Sequence, residues 1–282
     1  MKSAPQTPRD DGKGERIAKR LARAGVCSRR EAERWIEQGR VAVDGVVLTT
    51  PAFLVTEASE IVVDGKPVRR APPTRLWRFN KPEGVMTTHS DPQGRQTLFQ
   101  MLPAGFPRVV SVGRLDLNSE GLILLTNDGE LARRLELPVN ALPRRYRVRI
   151  YGFVRATDIA KLAEGITIEG VNYGAIDAAL EKQTGSNAWL TMTLREGKNR
   201  EIRRVCEAFG WRVNRLIRVA YGPFELVNLP IGAVDEIDAS EIGRGLGKLA
   251  EGLRLRLPEP RREYRGDRPN RPGPKHHAHR RR

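Results

Sequence analysis

The sequence predicts an α+β protein with a small N-terminal module, a larger domain on a mixed, mainly antiparallel sheet, and a disordered basic tail. Within the first 70 residues, two helical patterns and two Asp-Gly turns lie close together, as is typical of a compact helix-and-hairpin module. Beyond a basic, proline-containing stretch at residues 69–73, short apolar runs outnumber helical patterns and are irregularly connected. Residues 258–282 contain nine Lys or Arg and almost no apolar side chains, so they cannot bury a core.

The N-terminal module is predicted over residues 15–70, after a polar, disordered leader at residues 1–14. Apolar residues recur at helical spacing from Glu15 onward, and Gly25 is placed to end this first helix.

A second helix and two hairpins complete this module. Ser28 followed by Glu31 forms a capping box, which predicts a helix over residues 29–38. Asp44-Gly45 and Asp64-Gly65 each follow a valine-rich run and predict tight hairpin turns.

The remaining chain is predicted to form a linker at residues 71–75, a second domain at 76–250 and a basic, largely disordered tail at 251–282. The candidate strands cover residues 76–79, 109–112, 122–126, 146–151, 175–180, 189–194 and 216–219. The candidate helices cover residues 129–135, 158–164 and 202–209, and Asp128 is expected to belong to a plain turn that starts the first of these.

The charge balance indicates a polyanionic partner. The formal net charge is +16, which favours nucleic acid or an anionic membrane surface. No apolar run approaches the roughly 20 residues of a spanning helix and no signal peptide is apparent, so the membrane is the weaker candidate.

The two cysteines, Cys27 and Cys206, lie far apart, which excludes a zinc ribbon or disulfide scaffold and fits a reducing cytoplasm. Three of the four histidines lie at 276–279, so the folded part has almost no imidazole for a metal site.

The second helix of the module begins with basic side chains that can bind phosphate. Arg30 and Arg34 are four residues apart and therefore share a face, with Arg29 beside them. Backbone N–H groups at the helix N-terminus add further donors for phosphate. A solvated charged face is the alternative, but so small a module offers little besides a surface to bind with.

A loop between two apolar strands carries the strongest candidate for chemistry. Asp116 lies two residues after Arg114, with glycines on both sides of the segment. A carboxylate kept ionised by a neighbouring cation can act as a nucleophile or a general base. The alternative is an ordinary turn residue, since Asp is common in turns between strands.

Two further segments are candidates for contacts with nucleic acid. Lys198 lies in a predicted turn, followed by a helix expected to carry Arg200, Arg203 and Arg204 close together, a geometry suited to phosphates or to a buried carboxylate. Tyr146 lies among arginines and could stack on an extruded base, or it could be an ordinary strand residue.

The motifs together resemble the RsuA/RluB-type pseudouridine synthases, with an S4 RNA-binding domain of the αL type at residues 15–70. The match is carried by segments spread over nearly the whole ordered chain: residues 79–84, 113–116, 119–122, 125–129 and 195–204. Residues 186–189 and 215–218 resemble the RluB branch, which acts on 23S rRNA. Two positions depart from the family pattern: Leu137-Pro138 replaces a frequent His-Pro pair, and Arg144 replaces a common lysine, which could alter contacts to RNA.

The resemblance implies a reaction and roles for named residues. Asp116 would attack the target uridine, the C1′–N1 bond would break, the base would rotate and a C1′–C5 bond would form, without cofactor or metal. Tyr146 would stack on the flipped base and assist removal of the C5 proton, and Arg203 would pair with the aspartate. The side chains expected to bind RNA are Arg29, Arg30, Arg34, Lys81, Arg114, Lys198, Arg200 and Arg204.

The expected partner is ribosomal RNA, 23S rRNA or a large-subunit assembly intermediate, bound by a cytoplasmic monomer with no membrane contact. Alternatives are a synthase of the same family that acts on 16S rRNA, and a non-catalytic rRNA-binding assembly protein. A metal-dependent RNA hydrolase is disfavoured, since the sequence lacks the carboxylate and histidine clusters that it would need.

Overall fold

The computed structural model describes residues 14–256, so most of the predicted leader and the tail from residue 257 lie outside the described residues. The N-terminal module contains β1 (Glu15–Arg16), α1 (Ile17–Arg23), α2 (Arg29–Glu37), β2 (Val41–Val43), β3 (Val46–Val47), β4 (Leu54–Val55), β5 (Ile61–Val63) and β6 (Lys66–Pro67). Strands β3, β2, β5 and β6 form one antiparallel sheet in that order, and β1 pairs with β4.

Local sequence signals account for most of this module. The Ser28 side chain accepts from Glu31 N at 3.1 Å and Ser28 N donates to Glu31 Oε2 at 3.3 Å, so the predicted capping box is confirmed. Gly25 has a φ of +79° and follows the end of α1, as expected. Asp44 and Asp64 both have positive φ, as the predicted hairpin turns require. The first helix starts at Ile17 and not at Glu15, because residues 15–16 pair with β4 instead.

The second domain contains eleven strands and four α-helices among the described residues. The strands are β7 (Leu76–Lys81), β8 (Val110–Ser111), β9 (Glu120–Thr126), β10 (Arg144–Tyr151), β11 (Ile166–Ile168), β12 (Val171–Tyr173), β13 (Asp177–Thr184), β14 (Asn187–Leu194), β15 (Arg212–Tyr221), β16 (Phe224–Glu225) and β17 (Val234–Ile237). The helices are α3 (Gly129–Glu136), α4 (Ala156–Glu164), α5 (Glu201–Ala208) and α6 (Ala239–Leu246). The sequence did not predict the strands β11, β12, β16 and β17 or the helix α6.

One mixed sheet organises this domain, in the order β13-β14-β10-β15-β9-β7-β17, with β8 and β16 paired at the side. All its pairings are antiparallel except that of β15 with β9, so the predicted mixed, mainly antiparallel sheet is confirmed. Alternation along β9 divides the apolar side chains between two cores. Ile123 and Leu125 face a core shared with α4 and α5, and Leu122 and Leu124 face a core shared with α3 and α6.

The parallel junction at the centre of the sheet is short and tight. β9 and β15 pair only through Glu120 with Ile217 and Gly121 with Arg218. Gly121 has a φ of +97°, and a Cβ there would lie 2.3 Å from the backbone oxygen of Arg218. Glycine is therefore required at position 121. The loop that precedes β9 thus ends at the middle of the sheet.

Parts of the predicted linker and tail are ordered. The Thr74 hydroxyl donates to Asp128 Oδ2 at 2.7 Å, and Thr74 N donates to Arg254 O at 2.6 Å. Leu255 packs against the core beside α3 and α6. Residues 251–256, which the sequence assigned to the largely disordered tail, are held by backbone pairing with Thr74 and by apolar contacts. Asp128 caps α3, which confirms the predicted turn that starts a helix.

Between residues 14 and 256, no helix combines the length and the apolar character needed to cross a bilayer.

Candidate active site

A cleft of about 1010 Å³ opens where the loop before β9 meets β10, β15 and the start of α5. Asp116 and Tyr146 both line it, as do three of the basic residues predicted to bind RNA: Arg114, Lys198 and Arg200. The structure therefore brings together side chains that lie up to 86 positions apart, from Arg114 to Arg200, around one cavity. The motif at residues 113–121 becomes one wall of this cavity.

Lys81 fixes the loop that carries Asp116. Its Nζ donates to the carbonyl oxygens of Pro82, Asp116, Leu117 and Ser119 at 3.0, 3.2, 3.3 and 2.9 Å. The Lys81 side chain has no exposed surface, so the prediction that it binds RNA is wrong. It holds the loop from behind, because an ammonium group can satisfy several carbonyls that would otherwise be unpaired.

Other contacts hold the same loop along its length. Thr87 Oγ1 donates to Leu115 O at 3.0 Å, and Gly84 N donates to Leu117 O at 2.9 Å. At the start of the loop, Gly113 N donates to the Glu136 carboxylate at 2.7 Å. The backbone around Asp116 is therefore fixed before any substrate binds, which is the preorganisation that chemistry at a carboxylate requires.

Arg203 lies behind this loop and does not form the predicted ion pair with Asp116. Its Nη2 donates to Asn118 O at 2.6 Å and its Nη1 to Val213 O at 3.3 Å, and among residues 14–256 no ion pair joins it to Asp116. Burial and the charge of Arg200 lower the pKa of Arg203, and the negative charge of Asp116 acts in the opposite direction. Arg203 thus supports the loop and acts on Asp116 through space.

Tyr146 reaches the cleft because of the alternation of β10. Residues 144, 146, 148 and 150 face inward and those between them are exposed. Tyr146 is only 9% exposed, so its ring forms part of the inner wall. An aromatic face in that position can stack on a base inserted into the cleft.

The mouth of the cleft is basic. Arg114, Lys198 and Arg200 are exposed there and accessible to phosphate, and their contacts with RNA stay a prediction. Arg200 is not part of the predicted helix, since it takes a left-handed conformation with a φ of +52° immediately before α5. Arg204 lies on the helix, where a hydrogen bond to Tyr173 raises its pKa.

The arginines Arg29, Arg30 and Arg34 are exposed at the start of α2 in the N-terminal module. None of them lines the cleft, so they can only contact RNA outside it.

Sequence reasoning missed three charged residues that line the inner cleft. Arg144 and Arg218 are 9% and 2% exposed, and Glu201 is 4% exposed. Their inward direction follows from strand alternation, since Arg144 shares a face with Tyr146, and Arg218 lies between inward-facing Leu216 and Ala220. Strand alternation could have predicted that Arg144 and Arg218 face inward. Neither was assigned to the site, because arginine is rarely buried.

Glu201 is a buried acid whose protonation should affect stability. It accepts from Lys198 N at 2.9 Å, and no N–H donor between residues 14 and 256 reaches its buried Oε1. Burial, and then the neighbouring Glu196 carboxylate, raise the pKa of Glu201 to about 7. The folded state therefore binds the extra proton between about pH 4.5 and 7, and the stability contributed by this group decreases as pH rises through that window.

We expect Glu201→Gln to gain stability relative to the wild type on going from pH 5 to pH 8, because the amide is neutral at both. The gain should be at most roughly 3 kcal/mol, measured by urea denaturation at each pH. Glu207→Gln, an exposed change on the same helix, is the matched control and should show no such difference. An equal difference from wild type at both pH values would contradict the titration of Glu201.

Comparison with known proteins agrees with this geometry. A family model described as RNA pseudouridylate synthase matches residues 75–208, and an S4 domain model matches residues 15–61. A Rickettsia felis protein described as an uncharacterized RNA pseudouridine synthase is 49% identical over 226 residues, which is 79% of this chain and 97% of the relative. The chain belongs to the RNA pseudouridine synthase family. It is therefore an isomerase that converts uridine to pseudouridine in RNA.

Two other proteins are similar to this pseudouridine synthase over most of its length. Ribosomal large subunit pseudouridine synthase B of Yersinia pestis is 43% identical over 232 residues, covering 80% of this chain and 73% of the relative. The solved structure titled "Crystal structure of pseudouridylate synthase" superposes with a TM-score of 0.58 at 26% identity, covering 82% of this chain and 99% of that one. These findings confirm the resemblance to the RsuA/RluB type, including the S4 domain.

Proposed function

We propose that this pseudouridine synthase isomerises one uridine of 23S rRNA, with Asp116 as the catalytic group. The observation that carries the proposal is the fixed loop: Lys81, Thr87 and Arg203 all bind its backbone, and the Asp116 side chain is left to face a basic cleft. A carboxylate held in this way can attack without first being ordered, which lowers the barrier.

The proposed reaction needs only groups that line or support this cleft. Asp116 attacks C1′ of the target uridine as the C1′–N1 bond breaks, the base rotates, and the bond between Asp116 and C1′ breaks as a C1′–C5 bond forms. The proton that leaves C5 is balanced by one gained at N1, since substrate and product are isomers. Tyr146 stacks on the flipped base and assists removal of the C5 proton. Flipping costs a few kcal/mol, and stacking on an aromatic ring contributes about 1–3 kcal/mol in return.

The proposed substrate is 23S rRNA, free or in a large-subunit assembly intermediate. Relatives named ribosomal large subunit pseudouridine synthase B support this choice. The net charge of +16 and the cations at the mouth of the cleft support an extended RNA and not a free nucleoside. A monomer in the cytoplasm fits the sequence and stays a prediction.

The test is to incubate the protein with unmodified 23S and 16S rRNA without divalent metal, then to map pseudouridine by carbodiimide treatment and primer extension. We expect product at one position of 23S rRNA and intact RNA. Product only in 16S rRNA would establish the alternative target in the same family. No product in either RNA or in a large-subunit assembly intermediate would overturn the proposal.

The S4 arginines should act on affinity and not on chemistry. We expect Arg29→Gln, Arg30→Gln and Arg34→Gln together to weaken rRNA binding and to reduce the slope of log affinity against log salt by about 2 to 3, if each contacts one phosphate. The rate at saturating enzyme should stay near that of the wild type, because phosphate contacts position the substrate. Filter binding across a salt series gives the slope.

The matched control removes three exposed cations elsewhere, by changing Arg149, Lys161 and Lys182 to glutamine. Both triple variants lose the same net charge, so a general charge effect would lower the salt slope equally. An equal decrease in the two variants would show that the S4 face has no special role.

A further inference from the structure

Two buried arginines that line the cleft lie close to the same aromatic ring. They are Arg144 and Arg218, which are 9% and 2% exposed. Their guanidinium carbons lie 4.9 and 5.1 Å from the ring centroid of Tyr221, which is itself buried. The structure thus holds two cations against one aromatic ring in a part of the cleft that is largely removed from water.

Neither arginine forms an ion pair with a carboxylate anywhere between residues 14 and 256. Arg144 donates to the carbonyl oxygens of Leu142, Arg195 and Glu196 and to the Tyr221 hydroxyl. Arg218 donates from Nε to Leu122 O at 2.7 Å, whereas its Nη2 is buried without a partner. The Arg218 guanidinium therefore keeps unused donors as well as an uncompensated charge.

Besides Asp116, three acids line this cleft, and each of them already binds other groups. Glu136 accepts from Gly113 N, and Glu196 binds Lys198 and accepts from Gly174 N. Glu201 accepts from Lys198 N and holds its proton up to about neutral pH. Buried cations without an anion are unfavourable, so an anionic ligand in the cleft would stabilise this pair.

We propose that Arg218, supported by Arg144 and Tyr221, forms a subsite for the phosphodiester group attached to the target uridine. This inference rests on the proposed function, since it requires that a nucleotide of RNA enters the cleft. A guanidinium group binds phosphate through parallel hydrogen bonds, and the unused Nη donors of Arg218 suit that geometry. The exposed cations at the mouth can bind neighbouring phosphates, whereas Arg144 and Arg218 are buried in the same cleft and can bind the phosphate of a nucleotide that has been flipped into it.

The experiment uses full-length protein and short RNAs that span the mapped uridine, each with one neutral methylphosphonate linkage. We expect one linkage, directly beside the target, to lower wild-type kcat/KM about tenfold or more, as for loss of a charge-assisted hydrogen bond. In Arg218→Met that same linkage should cost less than about threefold, because the partner of the phosphate is absent. Arg218→Lys keeps a charge and should retain a clear penalty.

The matched control is Arg149→Met, an exposed arginine on the outward face of β10, which should show the full wild-type penalty. If Arg218→Met fails to fold, the set of methylphosphonate RNAs is tested with the wild type alone. The subsite requires that one linkage, next to the target, causes most of the loss of kcat/KM. A penalty spread evenly over all linkages, or one of equal size in Arg218→Met, overturns the proposal. Competition by inorganic phosphate, with no effect of any methylphosphonate linkage on kcat/KM, also overturns the proposal, because it would indicate a site for free anions. If wild type forms no pseudouridine from any rRNA, the proposed function fails instead.

Discussion

Replacement of Asp116 by asparagine is expected to abolish pseudouridine formation and to leave RNA affinity nearly unchanged. An amide cannot act as the anionic nucleophile that the reaction needs. The fold of the loop should survive, because Lys81 and Ser119 bind the backbone oxygen of residue 116 and not its side chain. The measurement is pseudouridine yield per enzyme at saturating rRNA, together with binding by filter retention.

Asp128→Asn is the matched control for this variant. Asp128 is also an aspartate in the second domain, but it caps α3 and accepts from Thr74 away from the cleft. We expect this control to lower the melting temperature and to retain activity below that temperature. Retention of more than a few per cent of wild-type turnover in Asp116→Asn would show that another group performs the chemistry.

The parts of the fold that local chemistry decides could be predicted from the sequence. Ser28 and Glu31 cap each other within one helical turn, and Asp44-Gly45 forms the two-residue turn between the adjacent strands β2 and β3. By contrast, residues 251–256 are ordered through Thr74, which lies far away in sequence. No local pattern contains that contact, so composition alone assigned these residues to the tail.

The candidate site likewise contains some residues that could be predicted from the sequence and others that could not. Asp116 and Tyr146 were recognisable because motifs place them, and the structure brings both to one cleft. Lys81 was misassigned because basic residues in an RNA-binding protein are expected at the surface, whereas its burial depends on a loop 35 to 38 positions later in the chain. Arg203 was expected to bind Asp116 directly, but the nearer backbone oxygen of Asn118 accepts its hydrogen bond.

Lys81→Met is expected to reduce the rate at least about tenfold, with little change in RNA affinity, because the loop loses the donor that holds three of its carbonyl oxygens. Methionine fills similar space without charge or hydrogen-bond donors, so the variant isolates the role of the ammonium group. Lys182→Met, an exposed lysine on β13, is the control and should match the wild type. A Lys81→Met variant with wild-type turnover would show that the loop does not depend on this residue.

The pH dependence of the wild type gives a second and sharper test of Lys81. Burial lowers the pKa of Lys81 from 10.5 to about 8, against the opposing charges of Asp116, Glu120 and Glu83. Between these two values the unfolded chain binds more protons than the folded one, so this group's contribution to stability increases with pH, by up to about 3 kcal/mol. The rate should do the opposite and decrease above about pH 8, since a neutral amine has fewer N–H donors for the carbonyl oxygens of the loop. Relative to Lys81→Met, the wild type should thus lose activity and gain stability over the same pH range, and a parallel change in both quantities would contradict this account of the loop.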